Sequence, residues 1–190
     1  MARRNVRKLA LRPPLPRRAV VWFPPFPADA GIEPFRHRFD PLADALPGHL
    51  TLVFPFATTL SSVQLAAYVK RIVGNWPPLP IVFRDVEGLL DTFALLMVRE
   101  GADAATTLHD KLYANGGVLA PYLRKDMRYS PHVTLGRVDC AREFPPMMTA
   151  AHAICGSGRE WRMILRELAV ISHDATGKIS IDSLVSLNTR

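Results

Sequence analysis

Long apolar runs, cysteines and acidic residues are all in short supply in this chain. No apolar stretch approaches the roughly 20 residues that a membrane-spanning helix needs, so no membrane role is expected. The 2 cysteines, Cys140 and Cys155, stand in neither a C-x-x-C pair nor a metal-ligand spacing. That excludes a disulfide framework and leads to the expectation of a reducing, cytoplasmic setting. There is no H-E-x-x-H and no His/Asp cluster, so neither a metal site nor a cofactor is expected. Thr176-Gly177-Lys178 lacks the upstream glycine of a phosphate loop and reads as a turn. Gly156-Ser157-Gly158 has no dinucleotide-binding context and reads as a linker. Acidic residues number 17 against 24 Lys and Arg, and the net charge of +7 favours an anionic partner such as RNA or a nucleotide.

What the chain does have is enough material for one domain with a substantial core. It is 190 residues long, 48% apolar and 22% charged. Its first 18 residues carry Arg3, Arg4, Arg7, Lys8, Arg12, Arg17 and Arg18. Leu9-Ala10-Leu11 is cut off at once by Arg12-Pro13-Pro14, too early for a secretory leader. Residues 1–18 are therefore expected to be a disordered basic arm, with 19–190 forming a single domain.

Hydrophobic periodicity predicts strands and helices in a regular order. Strands are expected at 19–23, 49–54, 79–84, 92–98, 132–138, 161–171 and 178–187. A short helix with Ile32, Phe35, Phe39 and Leu42 on one stripe should break at Pro41. A second, capped by Ser61 or Ser62, buries Leu65, Val69, Ile72 and Val73 and ends before Trp76-Pro77-Pro78. A third spans 103–114, capped by Asp103 and stopped by Gly116-Gly117; a fourth spans 141–154, with Phe144, Met147, Met148, Ala151 and Ile154 inward. Turns are expected at Glu87-Gly88 and at Asp174-Ala175-Thr176-Gly177.

Two of these strands open on the same phrase: His49-Leu50-Thr51-Leu52 after Gly48, and His132-Val133-Thr134-Leu135 after Pro131. Alternation along a strand puts His and Thr on one face and the apolar residues on the other. Composition alone would yield two His-x-Thr triplets only about 4% of the time. The histidines stand 83 residues apart, and each half reads helix, motif strand, helix, two strands. This suggests an internal duplication, with halves at about 19–100 and 101–190 packing so that the two motifs face each other.

The paired motifs resemble those of the 2H phosphoesterase superfamily, whose branches include bacterial 2′–5′ RNA ligase and RNA 2′,3′-cyclic phosphodiesterase proteins. The resemblance covers residues 19–190. Its segments are His49-Leu50-Thr51-Leu52-Val53-Phe54-Pro55-Phe56 and Ser130-Pro131-His132-Val133-Thr134-Leu135-Gly136-Arg137. Gly48 departs from it, standing where many relatives have Pro.

The resemblance implies an α+β fold of two pseudo-symmetric lobes, with antiparallel-rich sheets around a central cleft and helices outside. It implies a metal-independent enzyme that hydrolyses 2′,3′-cyclic phosphates or makes and breaks 2′–5′ phosphodiesters in RNA or nucleotides. His49, Thr51, His132 and Thr134 would line the cleft, with His132 as base and His49 as acid for ring opening. The chemistry needs such a set: a base for water, an acid for the leaving oxygen, and donors for the non-bridging oxygens.

Arg124, Arg128 and Tyr129, in the loop feeding the second motif, are placed to contact substrate phosphates or a base. Arg137 would fall on the apolar face by strict alternation, so the strand is expected to end or bulge there. His37 reads as solvated, His109 and His152 as surface or cap residues of helices, and His173 as the lead into a turn. A monomer is expected. Alternatives are a small-molecule cyclic nucleotide or ADP-ribose cyclic phosphodiesterase, and a non-enzymatic RNA-binding module on the same fold.

Overall fold

The computed structural model describes residues 15–114, 116–156, 158–174 and 177–188. The expected basic arm as far as residue 14, and Ala175 and Thr176 of the expected turn, lie outside them. Strands β1 (Arg17–Trp22), β2 (Leu50–Ala57), β3 (Leu79–Leu89), β4 (Phe93–Glu100), β5 (His132–Arg137), β6 (Trp161–Leu165), β7 (Glu167–His173) and β8 (Ile179–Ser186) form one sheet. Its order is β6-β3-β4-β5-β2-β1-β7-β8, with every pair antiparallel.

This topology dictates the curvature of the sheet. Strands β6 and β7 are separated in sequence by Arg166 alone, yet β6 is one edge and β7 lies next to the other. Only a sheet curled on itself brings those two ends within one residue, and the sheet is indeed a curled half-barrel. The expected single strand 161–171 is thus two strands in different wings.

The wings meet at the motif strands. Outward from the centre, one runs β2, β1, β7, β8 and the other β5, β4, β3, β6. Each draws strands from both halves of the sequence, which corrects the expected lobes of 19–100 and 101–190. Strand β1 also starts at Arg17, so Arg17 and Arg18 belong to the sheet and not to the arm.

Helices α1 (Ile32–Phe39), α2 (Ser62–Val73), α3 (Ala102–Leu112) and α4 (Phe144–Cys155) cover one face of the sheet. Their buried residues, among them Phe35, Leu65, Val69, Leu108, Leu112, Met147 and Ala151, pack with Leu50, Leu52, Val133 and Leu135 in the main core. Helix α1 ends at Phe39, before Pro41, and Leu42 is exposed. Ser61 caps α2: its hydroxyl accepts from Gln64 N–H while the Gln64 side chain accepts from Ser61 N–H. Such a capping box is worth about 1 kcal/mol. Asp103 is not the cap of α3; Gly101, in the left-handed region, holds that place.

The β3–β4 turn differs from expectation for a local reason. It is formed by Leu90 and Asp91, both at positive φ, with Thr92 N–H donating to the Leu89 carbonyl. Leu-Asp carries none of the Asn-Gly signal such a turn normally shows. Gly88 lies inside β3, where a Cβ would come within 2.6 Å of the Phe144 ring. Its glycine serves close helix approach rather than a turn.

Candidate active site

Strands β2 and β5 pair through Leu50↔Val133, both fully buried in the core. From that antiparallel register, His49 lies opposite Thr134 and Thr51 opposite His132. All four point to the face away from the helices. The histidines occupy one diagonal of the quadrilateral and the threonines the other. Diagonal neighbours across such a pair are about 7–8 Å apart, room for one tetrahedral phosphate between them. All four side chains are half-buried.

The two imidazoles are held alike. Nδ1 of His49 lies 2.9 Å from the Pro47 carbonyl and Nδ1 of His132 lies 2.7 Å from the Ser130 carbonyl, in each case two residues back. A carbonyl only accepts, so Nδ1 carries the proton and Nε2 is left for chemistry. Burial lowers the pKa of both rings, partly offset by these carbonyl bonds; for His49 the charges of Arg36 and His132 lower it further while Asp40 raises it. The effect of His132 on His49 reflects their closeness. Neither threonine hydroxyl is committed to another protein group among the described residues.

Helix α1 holds the approach to the first motif. Arg36, 1% exposed, pairs with Glu33 at 3.0 Å and Asp40 at 2.6 Å. The other oxygen of Glu33 accepts the Gly48 N–H at 2.9 Å. A proline at 48 would have no N–H to give, so this contact belongs to the residue that departs from the family pattern. The ring of Phe23 meets His49 edge-on at 6.3 Å. Leu46 buries itself against Ala19, Val21, Ala169 and Ile171 on the site face, closing one wing.

Beyond the second motif the strand bulges as expected. Leu95 pairs with Thr134 but Ala94 with Gly136, leaving Leu135 as the extra residue. Gly136 therefore faces the helices, where a Cβ would meet Met147 at 2.7 Å and Phe39 at 2.8 Å. Arg137, paired with Phe93, returns to the face of Thr134, exposed and bonded to Asp139 at 2.9 Å.

A sequence model of the 2′-5′ RNA ligase superfamily matches residues 24–177. The chain belongs to the 2′-5′ RNA ligase superfamily. Two curated relatives of this superfamily member are provisionally named phosphoesterases. One, from Geobacillus kaustophilus (strain HTA426), is 28% identical over 120 residues, 62% of this chain and 67% of its own. The other, from Geobacillus thermodenitrificans (strain NG80-2), is 26% identical over the same shares. Among solved structures, E. coli LigT complexed with 3′-AMP matches at TM-score 0.61 and 19% identity, covering 90% of this chain and 98% of that one. A protein from Thermus thermophilus matches at TM-score 0.61 and 16% identity, over 92% and 99%. These likenesses establish the fold.

Within this 2′-5′ RNA ligase superfamily chain the remaining candidates separate clearly. Arg124 is exposed and bound through two nitrogens to Asp126, at 2.8 and 2.6 Å. Arg128 is exposed beside a cavity of about 410 Å³ shared with Met97, Arg99, Tyr129 and Ser130. Tyr129 points inward, its hydroxyl donating to the Thr51 carbonyl at 2.8 Å and its ring stacked on His109. His109, expected at the surface, is buried. His37 and His152 are exposed, and His173 is half-buried at the end of β7. Among the described residues no group of three or more His, Cys, Asp or Glu is placed to hold a metal ion, and no helix is long and apolar enough to cross a membrane.

Proposed function

We propose that this protein hydrolyses 2′,3′-cyclic phosphates of RNA or nucleotides by paired-histidine acid–base catalysis. The observation that carries the reading is the diagonal placement of His49 and His132, each with Nδ1 on a carbonyl and Nε2 available. In-line attack on phosphorus needs a base on one side and an acid on the other.

Nε2 of His132 takes a proton from water as the water oxygen bonds to phosphorus. The bond from phosphorus to one ribose oxygen breaks, and that oxygen takes the proton from Nε2 of His49. The product is a phosphomonoester. Thr51 and Thr134 donate to the two non-bridging oxygens as charge builds on them. A 5′-hydroxyl in place of water, deprotonated by His132 while His49 protonates the leaving ribose oxygen, opens the ring to a 2′–5′ linkage; in the reverse reaction, cleavage of that linkage to cyclic phosphate and hydroxyl, the histidines exchange roles. The phosphodiester anion, once seated, favours protonation of the acid histidine that burial otherwise disfavours.

Arg137, on the face of Thr134, and Arg128, at the mouth of the neighbouring cavity, are the cations best placed for flanking phosphates. Arg124 serves this role only by giving up Asp126. E. coli LigT has been solved with 3′-AMP, ATP and NADP+, which supports a nucleotide in the cleft and keeps a small cyclic nucleotide as the second reading.

The test is hydrolysis of a short RNA ending in a 2′,3′-cyclic phosphate, with EDTA present, by wild type and His132→Ala. EDTA-resistant opening that vanishes in the variant is the expected result, and the position of the product phosphate tells which ester bond is cut. An inactive wild type overturns RNA cyclic phosphate as substrate and directs the assay to cyclic mononucleotides.

A further inference from the structure

The ladder between β2 and β5 ends almost as soon as it begins. Continued past Leu50↔Val133, it would set Leu52 against Pro131, which has no N–H to donate. The Pro131 carbonyl is already taken by Val98 N–H of β4, at 3.0 Å. Strand β2 also bulges here: Val21 pairs with Thr51 and Val20 with Val53, leaving Leu52 as the extra residue. A bulge with no partner strand leaves backbone polar groups that must be satisfied some other way.

Three side chains do so. The Tyr129 hydroxyl donates to the Thr51 carbonyl at 2.8 Å. His109 of α3 donates from Nδ1 to the Leu52 carbonyl at 2.8 Å. Phe54 N–H donates to the Tyr113 hydroxyl at 3.0 Å. The His109 and Tyr129 rings lie parallel, 3.8 Å apart at 5°, and His109 is 3% exposed. Tyr129 stands three residues before His132, so one side chain links the second motif's approach to the first motif's strand.

We propose that Tyr129 and His109 are positioning residues: they act as a surrogate strand that fixes the bulge in β2 and thereby aims the Thr51 hydroxyl into the cleft. This rests on the cyclic phosphodiesterase reading, in which Thr51 donates to a phosphate oxygen. A shift of about 1 Å at such a donor costs up to 10²-fold in rate. Burial lowers the pKa of His109, in keeping with the neutral, Nδ1-protonated ring this bond requires.

The test is a double-mutant cycle on the RNA cyclic phosphate assay. Tyr129→Phe keeps the stacked ring and removes only the donor. Its kcat should fall about tenfold with KM within about twofold, and the loss should vanish when Thr51→Ala is already present, because both act through one hydroxyl. His109→Gln, which retains an N–H donor, should keep most of the kcat that His109→Leu loses. Wild-type rates in Tyr129→Phe, or losses that multiply in the double variant of an active enzyme, overturn this inference alone. A wild type that opens no cyclic phosphate overturns the functional reading and this inference together.

Discussion

At the scale of single residues, the proposed mechanism divides the labour between two histidines and two threonines. On that mechanism, replacing His49 or His132 by Ala removes a proton carrier, so kcat should fall by about 10² or more with little change in KM. Steady-state kinetics on the RNA cyclic phosphate checks this, and a non-enzymatic binding module would show no turnover to lose. Burial lowers both histidine pKa values from the ordinary 6.5. Activity needs one ring neutral and the other protonated, so kcat/KM should be bell-shaped with its maximum below pH 6.5. The acid limb falls as the base is protonated and the alkaline limb falls as the acid is lost. A maximum above pH 7 would contradict the assignment. These four residues were legible in the sequence because strand alternation and a repeated phrase suffice to place them on one face. The contacts of His109 and Glu33 were not, since a helix position says nothing of which distant carbonyl or N–H a side chain will meet.

At the scale of elements, α1 is a brace for the first motif. Arg36 is buried between Glu33 and Asp40, and removing it leaves two carboxylates short of their partner. Arg36→Ala should cost about 3–5 kcal/mol of stability, read from urea unfolding. The β3–β4 turn invites the opposite change. Leu90 and Asp91 both hold positive φ, and Leu90 is 80% exposed. Leu90→Asn with Asp91→Gly should stabilise the fold by about 0.5–2 kcal/mol, visible as a raised Tm. The helices and most strands could be read from periodicity and capping. The turn at 90–91 and the interior place of Gly88 could not, because one lacks its usual residues and the other answers to Phe144, far away in sequence.

At the scale of the whole molecule, the buried histidines tie stability to pH. His49, His109, His132 and His173 all have lowered pKa values, with burial the leading cause in each. The unfolded chain takes up protons near pH 6.5 while the folded one resists, so stability is full above that value and is lost as pH falls through it. Tm measured from pH 8 to 5 should drop, and His109→Gln should flatten the drop. The basic residues before Leu15 act at this scale too. Because Arg17 and Arg18 lie in β1, a clean deletion stops at residue 14. If RNA is the substrate, removing residues 2–14 should weaken RNA binding and shrink its log–log salt slope by about 0.7 for each phosphate of a single strand that these residues had neutralised. An unchanged slope favours a small nucleotide.

The sequence by itself determined the motif residues, their common face and the order of elements, because these depend on local periodicity and composition. Which strands share a wing, how tightly the sheet curls and what holds the bulge beneath Thr51 were decided only by tertiary structure. The run from Trp161 to Ile171 shows why. It reads as one strand, and nothing local reveals that its two ends pair with partners on opposite sides of the molecule. Pairing is a contest among distant segments for the same hydrogen bonds and the same buried surface, and it is settled only when the whole chain packs.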